Sequence, residues 1–262
     1  MLNINFVKMI SYVVLLFVII SGILFYFYNK NTQKESVQYS ENTNFNKNPD
    51  TSLNTTLDTS IKTFKIVAFG DSLTAGYGVE LKDSYPSILQ DVLNKNSEKF
   101  INKNENEKDK LNINFELINM GVSGETTAGG LDRTLFILEQ KPDLVLLGLG
   151  ANDMLRGVDT NVTKNNLEAI LKKFKDNNQK VILLGMQSVS SYGVKYKNDF
   201  DAIYPELSKK YNIPLVPFFL EGVAKVEKYN TSDGIHPNRS GYEKIVSENM
   251  MPILINYLSK NI

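Results

Sequence analysis

The chain has a single histidine, His236, and it follows Asp233 by three positions in TSDGIHPNRS (231–240). A carboxylate and an imidazole at i and i+3 on a turn can meet, which fixes the ring's tautomer and stabilises its protonated form. A serine hydroxyl needs such a base before it can attack at neutral pH. A lone histidine is nonetheless more often structural or merely exposed, so the pair by itself does not define a site. Three other segments hold complementary groups. Ser72 stands in GDSLTAGYG (70–78), where it reads equally as the N-cap of a following helix and as a nucleophile. Gly124, in GVSGETTAGG (121–130), has no side chain, so its N–H can come close to a ligand. Asn152, in GLGANDMLRG (148–157), offers an amide NH2. Gly and Asn also dominate turns for backbone reasons alone. Combined with the N–H of Ser72, they form a three-donor set for an oxyanion.

The elements that must position these groups follow from the apolar pattern. FKIVAF (64–69), FELINM (115–120), LVLLGL (144–149), VILLGM (181–186) and IPLVPF (213–218) are strand candidates. Their nearly continuous apolar character suits strands covered on both faces. Leu167, Ile170, Leu171 and Phe174 fall at helical spacing, as do Tyr242, Ile245, Val246, Met250, Ile253, Leu254 and Tyr257. This βα alternation predicts a parallel sheet with helices on both faces. Ligands then bind at the carboxyl ends of the strands. The Ser72, Gly124 and Asn152 segments each follow one of the first three strand candidates. The stretch 94–114, rich in Asn, Lys and Glu, reads as a solvated loop.

Composition narrows the chemistry. Lys+Arg and Asp+Glu both number 29, giving zero net charge, and no basic stripe with interleaved aromatics marks a nucleic-acid binder. Without cysteine there are no disulfides, thiolate chemistry or cysteine zinc sites, and one histidine excludes a histidine-rich metal site. An all-oxygen site is left open, but no Asp/Asn/Glu run has calcium-loop spacing. The expectation is therefore no metal, no cofactor and no nucleic-acid partner. GDSLTAG is neither a phosphate loop of the GxxxxGK[ST] type nor a GxGxxG turn, and the GxSxG nucleophile elbow is missing.

The 262 residues divide into three zones. Met9–Tyr28 is an uncharged run of 20 residues, long enough as a helix to span roughly 30 Å of bilayer. It ends in FYFYNK, as at a membrane interface, rather than in a small-residue cleavage site. Residues 1–28 are thus expected to be an N-terminal transmembrane anchor, with a cleaved signal peptide as the alternative. Lys8 on one side and Lys30 and Lys34 on the other leave its orientation undecided. In residues 29–62, 17 of 34 are Asn, Thr or Ser, the composition of a flexible tether with a reach of roughly 30 Å. Residues 63–262 form the globular domain.

The motifs VAFGDSLTAGYGV, NMGVSGETTAGGLDR, LGLGANDMLRG, YPELSKKYNIPLVPFFLEGV and DGIHPNRSGY occur in an order and spacing that resemble the SGNH, or GDSL-type, hydrolase superfamily. The branch they are most similar to is that of bacterial thioesterase I, lysophospholipase L1 and arylesterase. The resemblance implies a flavodoxin-like three-layer α/β/α sandwich that hydrolyses carboxylic esters or acyl thioesters. It also implies roles: Ser72 as nucleophile, His236 as base and then acid, Asp233 orienting His236, and Ser72, Gly124 and Asn152 as the oxyanion hole. Asp71 would help to hold the nucleophile turn. The third motif reads GAND where GGND is frequent, and the asparagine keeps its place. An acyl ester or lipid is the implied partner, a monomer is expected, and export across a bacterial cell membrane would put the anchored domain on the extracytoplasmic side. Deacetylation of a cell-wall or surface glycan is the second enzymatic reading, and a catalytically silent binding module on a stalk is the third.

Overall fold

The apolar runs become five parallel strands in the computed structural model, which describes residues 61–97 and 112–262. They are β1 (Ile61–Gly70), β2 (Asn112–Gly121), β3 (Leu144–Gly148), β4 (Val181–Leu184) and β5 (Leu215–Val216), arranged in the order β2-β1-β3-β4-β5. Every residue of β3 and β4 is buried, which is why these strands read as unbroken Val/Leu/Ile runs. β2 departs from that pattern. Ile113 and Phe115 are buried while Asn114 and Glu116 are exposed, the alternation of a strand at the rim of the sheet with one face partly open.

The register sets the height of the site. Gly70 is level with Gly121 on β2 and with Gly148 on β3, so three glycines end three adjacent strands side by side. The turns carrying Ser72, Gly124 and Asn152 therefore leave the sheet from one edge. Lower down, Phe64 and Phe115 are register partners whose rings meet edge-on at 5.8 Å.

The strand order reverses direction after β1, so right-handed crossovers put the β1–β2 helix on one face and the later helices on the other. The first face carries α2 (Tyr85–Lys95), which packs on β2 and on α8 (Arg239–Lys244). Tyr85 there meets the rings of Phe219 at 5.2 Å and Tyr242 at 6.4 Å. The second face carries α3 (Thr127–Asp132), α4 (Thr134–Glu139), α6 (Thr160–Asp176) and α7 (Gly193–Tyr211), with α6 touching the other three. Leu167, Ile170, Leu171 and Phe174 of α6 are all buried, and Phe174 meets Phe69 of β1 at 6.2 Å. Two short helices, α1 (Ser72–Ala75) and α5 (Ala151–Leu155), begin just past β1 and β3.

Three boundaries differ from the sequence reading. β1 begins at Ile61, two residues inside the expected tether. Asn94 and Lys95 close α2, and Asn112–Asn114 open β2, so the 94–114 stretch is not all loop. The C-terminal pattern is not one uniform helix: α8 passes through a π turn (Ile245–Met250) into α9 (Met251–Asn261). Pro252 sits in the first turn of α9, where its missing N–H interrupts the regular ladder. No helix among the described residues is long and apolar enough to cross a membrane; the expected anchor at 1–28 and the tether up to residue 60 lie outside them.

Candidate active site

The turn after β1 is too tight for a side chain at its first position. A Cβ on Gly70 would lie 2.1 Å from Thr74 Oγ1 and 2.6 Å from the Gly148 carbonyl oxygen. Asp71, not Ser72, caps the helix that follows: its Oδ1 accepts from the Leu73 N–H at 3.0 Å. Ser72 is the first residue of α1, and its hydroxyl takes no part in capping. Asp71 is 1% exposed, and its Oδ2 has no hydrogen-bond partner among the described residues. Burial pushes this carboxyl up to about 7, and the nearby Glu125 adds to the effect; the Leu73 N–H and the adjacent Asn152 amide oppose it.

The turn after β2 is closed by the Glu125 N–H on the Val122 carbonyl at 3.1 Å. Gly124 occupies its third position with φ +81°, a conformation that residues with a side chain rarely adopt. Two arginines hold this turn. Arg156 Nη2 donates to the Gly124 carbonyl at 2.8 Å. Arg133 pairs with the Glu125 carboxylate through both Nε, at 2.6 Å, and Nη2. The turn after β3 begins α5 with Asn152 as its second residue. Next to it, Asp153 is 1% exposed and accepts from the N–H (2.8 Å) and the hydroxyl (2.5 Å) of Thr127, the first residue of α3. The oxyanion-donor candidates on the second and third turns are thus cross-linked behind the site.

His236 reaches the same edge from a loop near the C-terminus. That loop is closed at its neck by the Thr231 N–H on the His236 carbonyl at 2.8 Å and by bridging of Asn230 with Pro237. Inside it, Asp233 Oδ1 accepts from Thr231 Oγ1 (2.8 Å), the Ile235 N–H (2.9 Å) and the His236 N–H (3.0 Å). Partial desolvation would raise the Asp233 carboxyl, but these donors and the imidazole outweigh it and hold the group well below the usual carboxylate range. Its Oδ2 lies 2.6 Å from His236 Nδ1, and His236 Nε2 lies 2.9 Å from Ser72 Oγ. An ionised carboxylate only accepts, so the proton is assigned to Nδ1 and Nε2 presents a lone pair to the Ser72 hydroxyl. Tyr77 covers the imidazole with ring centroids 4.8 Å apart.

All five sequence-nominated residues therefore converge. Ser72, Asp233 and His236 form one hydrogen-bonded line, and Ser72, Gly124, Asn152 and His236 line a single cavity of about 570 Å³. The rest of its wall is largely apolar and includes Met154, Leu155, Met186, Phe218, Leu220 and Ile235. Arg133, Asp153, Arg156 and Tyr77 also shape the site, although the motifs that contain them gave no sign of these contacts. Among the described residues, no group of three or more His, Cys, Asp or Glu side chains is arranged to hold a metal ion.

Residues 68–244 match the GDSL-like Lipase/Acylhydrolase family. The chain is 36% identical over 174 residues to an arylesterase of Vibrio mimicus, covering 66% of this chain and 80% of that protein. It is 35% identical over 175 residues to thioesterase 1/protease 1/lysophospholipase L1 of Escherichia coli strain K12, covering 66% of this chain and 76% of that protein. Among solved structures it is similar to AlinE4, described as an SGNH-hydrolase family esterase, with 40% identity and a TM-score of 0.59 over 71% of this chain and 92% of that one. A match that runs from the end of β1 to the end of α8 takes in the other four strands and all four site segments, so the chain belongs to the GDSL-like lipase/acylhydrolase family and is an ester hydrolase.

Proposed function

We propose that the chain hydrolyses carboxylic esters or acyl thioesters of lipid-like substrates through a serine acyl-enzyme. Ser72 Oγ attacks the acyl carbon while its proton passes to His236 Nε2. Asp233 keeps the ring oriented and stabilises the imidazolium that results. The carbonyl oxygen becomes an oxyanion held by the N–H groups of Ser72 and Gly124 and by the Asn152 amide. The imidazolium then protonates the departing alkoxide or thiolate, and a water molecule repeats the sequence to free the acid. The observation that carries this reading is the unbroken line from Asp233 Oδ2 through His236 to Ser72 Oγ, at 2.6 and 2.9 Å.

The apolar wall of the cavity supports an acyl chain longer than acetyl. Each methylene it buries is worth up to about 0.8 kcal/mol, so binding to the transition state strengthens with chain length. Assay of the full chain on p-nitrophenyl esters from acetate to decanoate tests both parts of the proposal. We expect kcat/KM to rise several-fold from acetate to hexanoate, and Ser72→Ala to lower kcat by about 10⁴-fold. Activity confined to acetate would favour the glycan O-acetyl esterase instead, and a Ser72→Ala variant of near-normal kcat would remove Ser72 as nucleophile. The proposal includes the N-terminus: Met9–Tyr28 as a single-pass anchor, the following residues as a tether, and the domain on the extracytoplasmic side. The 20-residue uncharged run supports the anchor, the Asn/Thr/Ser-rich composition supports the tether, and the export implied by the family resemblance supports the extracytoplasmic side.

A further inference from the structure

Arg133 is heavily engaged near the site, and the reaction proposed above does not use it. Its guanidinium carries three connections besides the bidentate pair with Glu125. Nη2 donates to the Gly70 carbonyl at 3.1 Å, immediately before the Asp71–Ser72 turn, and to the Met120 carbonyl at 2.8 Å, near the end of β2. Its Cζ lies 4.5 Å above the ring of Phe69. The Arg133 side chain is 19% exposed and that of Glu125 only 7%. Glu125 closes the turn that carries Gly124, and its charge reaches far enough to raise the Asp71 carboxyl beside Ser72.

A largely buried carboxylate this close to an oxyanion hole works against the reaction unless a cation neutralises it, because it repels the charge that develops on the carbonyl oxygen. A planar fork is also the group that can meet a carboxylate and two backbone carbonyls together.

We propose that Arg133 and Glu125 form one positioning unit, in which Arg133 locks the Ser72 turn to the Gly124 turn and cancels the Glu125 charge behind the oxyanion hole. The unit acts on kcat rather than on substrate binding, since most of the cavity's apolar wall, Met154, Leu155, Met186, Phe218, Leu220 and Ile235, lies on other segments. This rests on the proposed roles of Ser72 and Gly124.

The test is a double-mutant cycle in the full chain with a p-nitrophenyl ester, in which kcat and KM are measured separately. Arg133→Gln leaves Glu125 uncompensated and should lower kcat about 10- to 100-fold with KM within about twofold. Adding Glu125→Gln removes the stranded charge and should restore kcat at least fivefold over Arg133→Gln alone. A role in packing alone would give no such rescue, because the double variant has lost more contacts than the single one. Arg133→Lys covers the case in which Arg133→Gln does not fold. It keeps the charge without the fork, so its kcat should fall and its KM should not. The inference is overturned if the double variant is no faster than Arg133→Gln, or if Arg133→Lys keeps full kcat. Ser72→Ala serves as the control. If it is inactive while the rescue fails, only this inference is lost; if it is active, the reading of the site itself fails.

Discussion

Asp71 takes the capping role that the sequence had left open for Ser72, and the Ser72 hydroxyl is thereby left to His236. The cost falls on Asp71, whose buried carboxyl is pushed up to about 7 from an ordinary 3.8. In the unfolded chain this group loses its proton near its ordinary value, whereas in the folded chain it keeps it until about pH 7. Its contribution to stability is therefore complete below about pH 4 and is lost as the pH rises to about 7, on the order of 4 kcal/mol. Asp71→Asn keeps an acceptor for the Leu73 N–H and removes the titration. Denaturant unfolding of both forms at pH 4.5 and 7.5 should show the variant gaining on the native chain as the pH rises. Parallel behaviour at the two pH values would mean that Asp71 ionises freely in the fold.

At the scale of the elements, the level ending of β1, β2 and β3 brings three turns to one edge, and Asp153 with Thr127 ties the last two together. Removing that carboxylate strands a buried N–H and a buried hydroxyl, so Asp153→Ala should cost about 2–4 kcal/mol in unfolding free energy. A loss below about 0.5 kcal/mol would show that water satisfies Thr127 equally well. This tie also marks what the sequence could disclose. Ser72, Gly124, Asn152 and the Asp233–His236 pair were legible as candidates because they follow strand candidates or share a turn, and their roles were legible through the order and spacing of the motifs that resemble the family. Arg133 and Arg156 were not, because their partners include the backbone carbonyls of Gly70, Met120 and Gly124, which carry no signature in residue type. The five strands were likewise legible as apolar runs. The exposed positions of β2 were not, since rim or interior position depends on strand order rather than on the run itself.

For the molecule as a whole, a cavity with a largely apolar wall and an uncharged 20-residue N-terminal run together suit acyl substrates at a membrane. Full-length protein should float with lipid vesicles and stay with them in 1 M salt, because an apolar span is not released by screening. Recovery in the soluble fraction would replace the anchor with a cleaved signal. The claim on which everything else depends is that Ser72, with His236 as its base, forms the acyl-enzyme. A fluorophosphonate probe reacts with an activated serine, and peptide mapping by mass spectrometry locates the adduct. One adduct per chain is expected, on Ser72, and it should be lost in both Ser72→Ala and His236→Ala. An adduct on another residue, or undiminished labelling of Ser72 in His236→Ala, would contradict that claim.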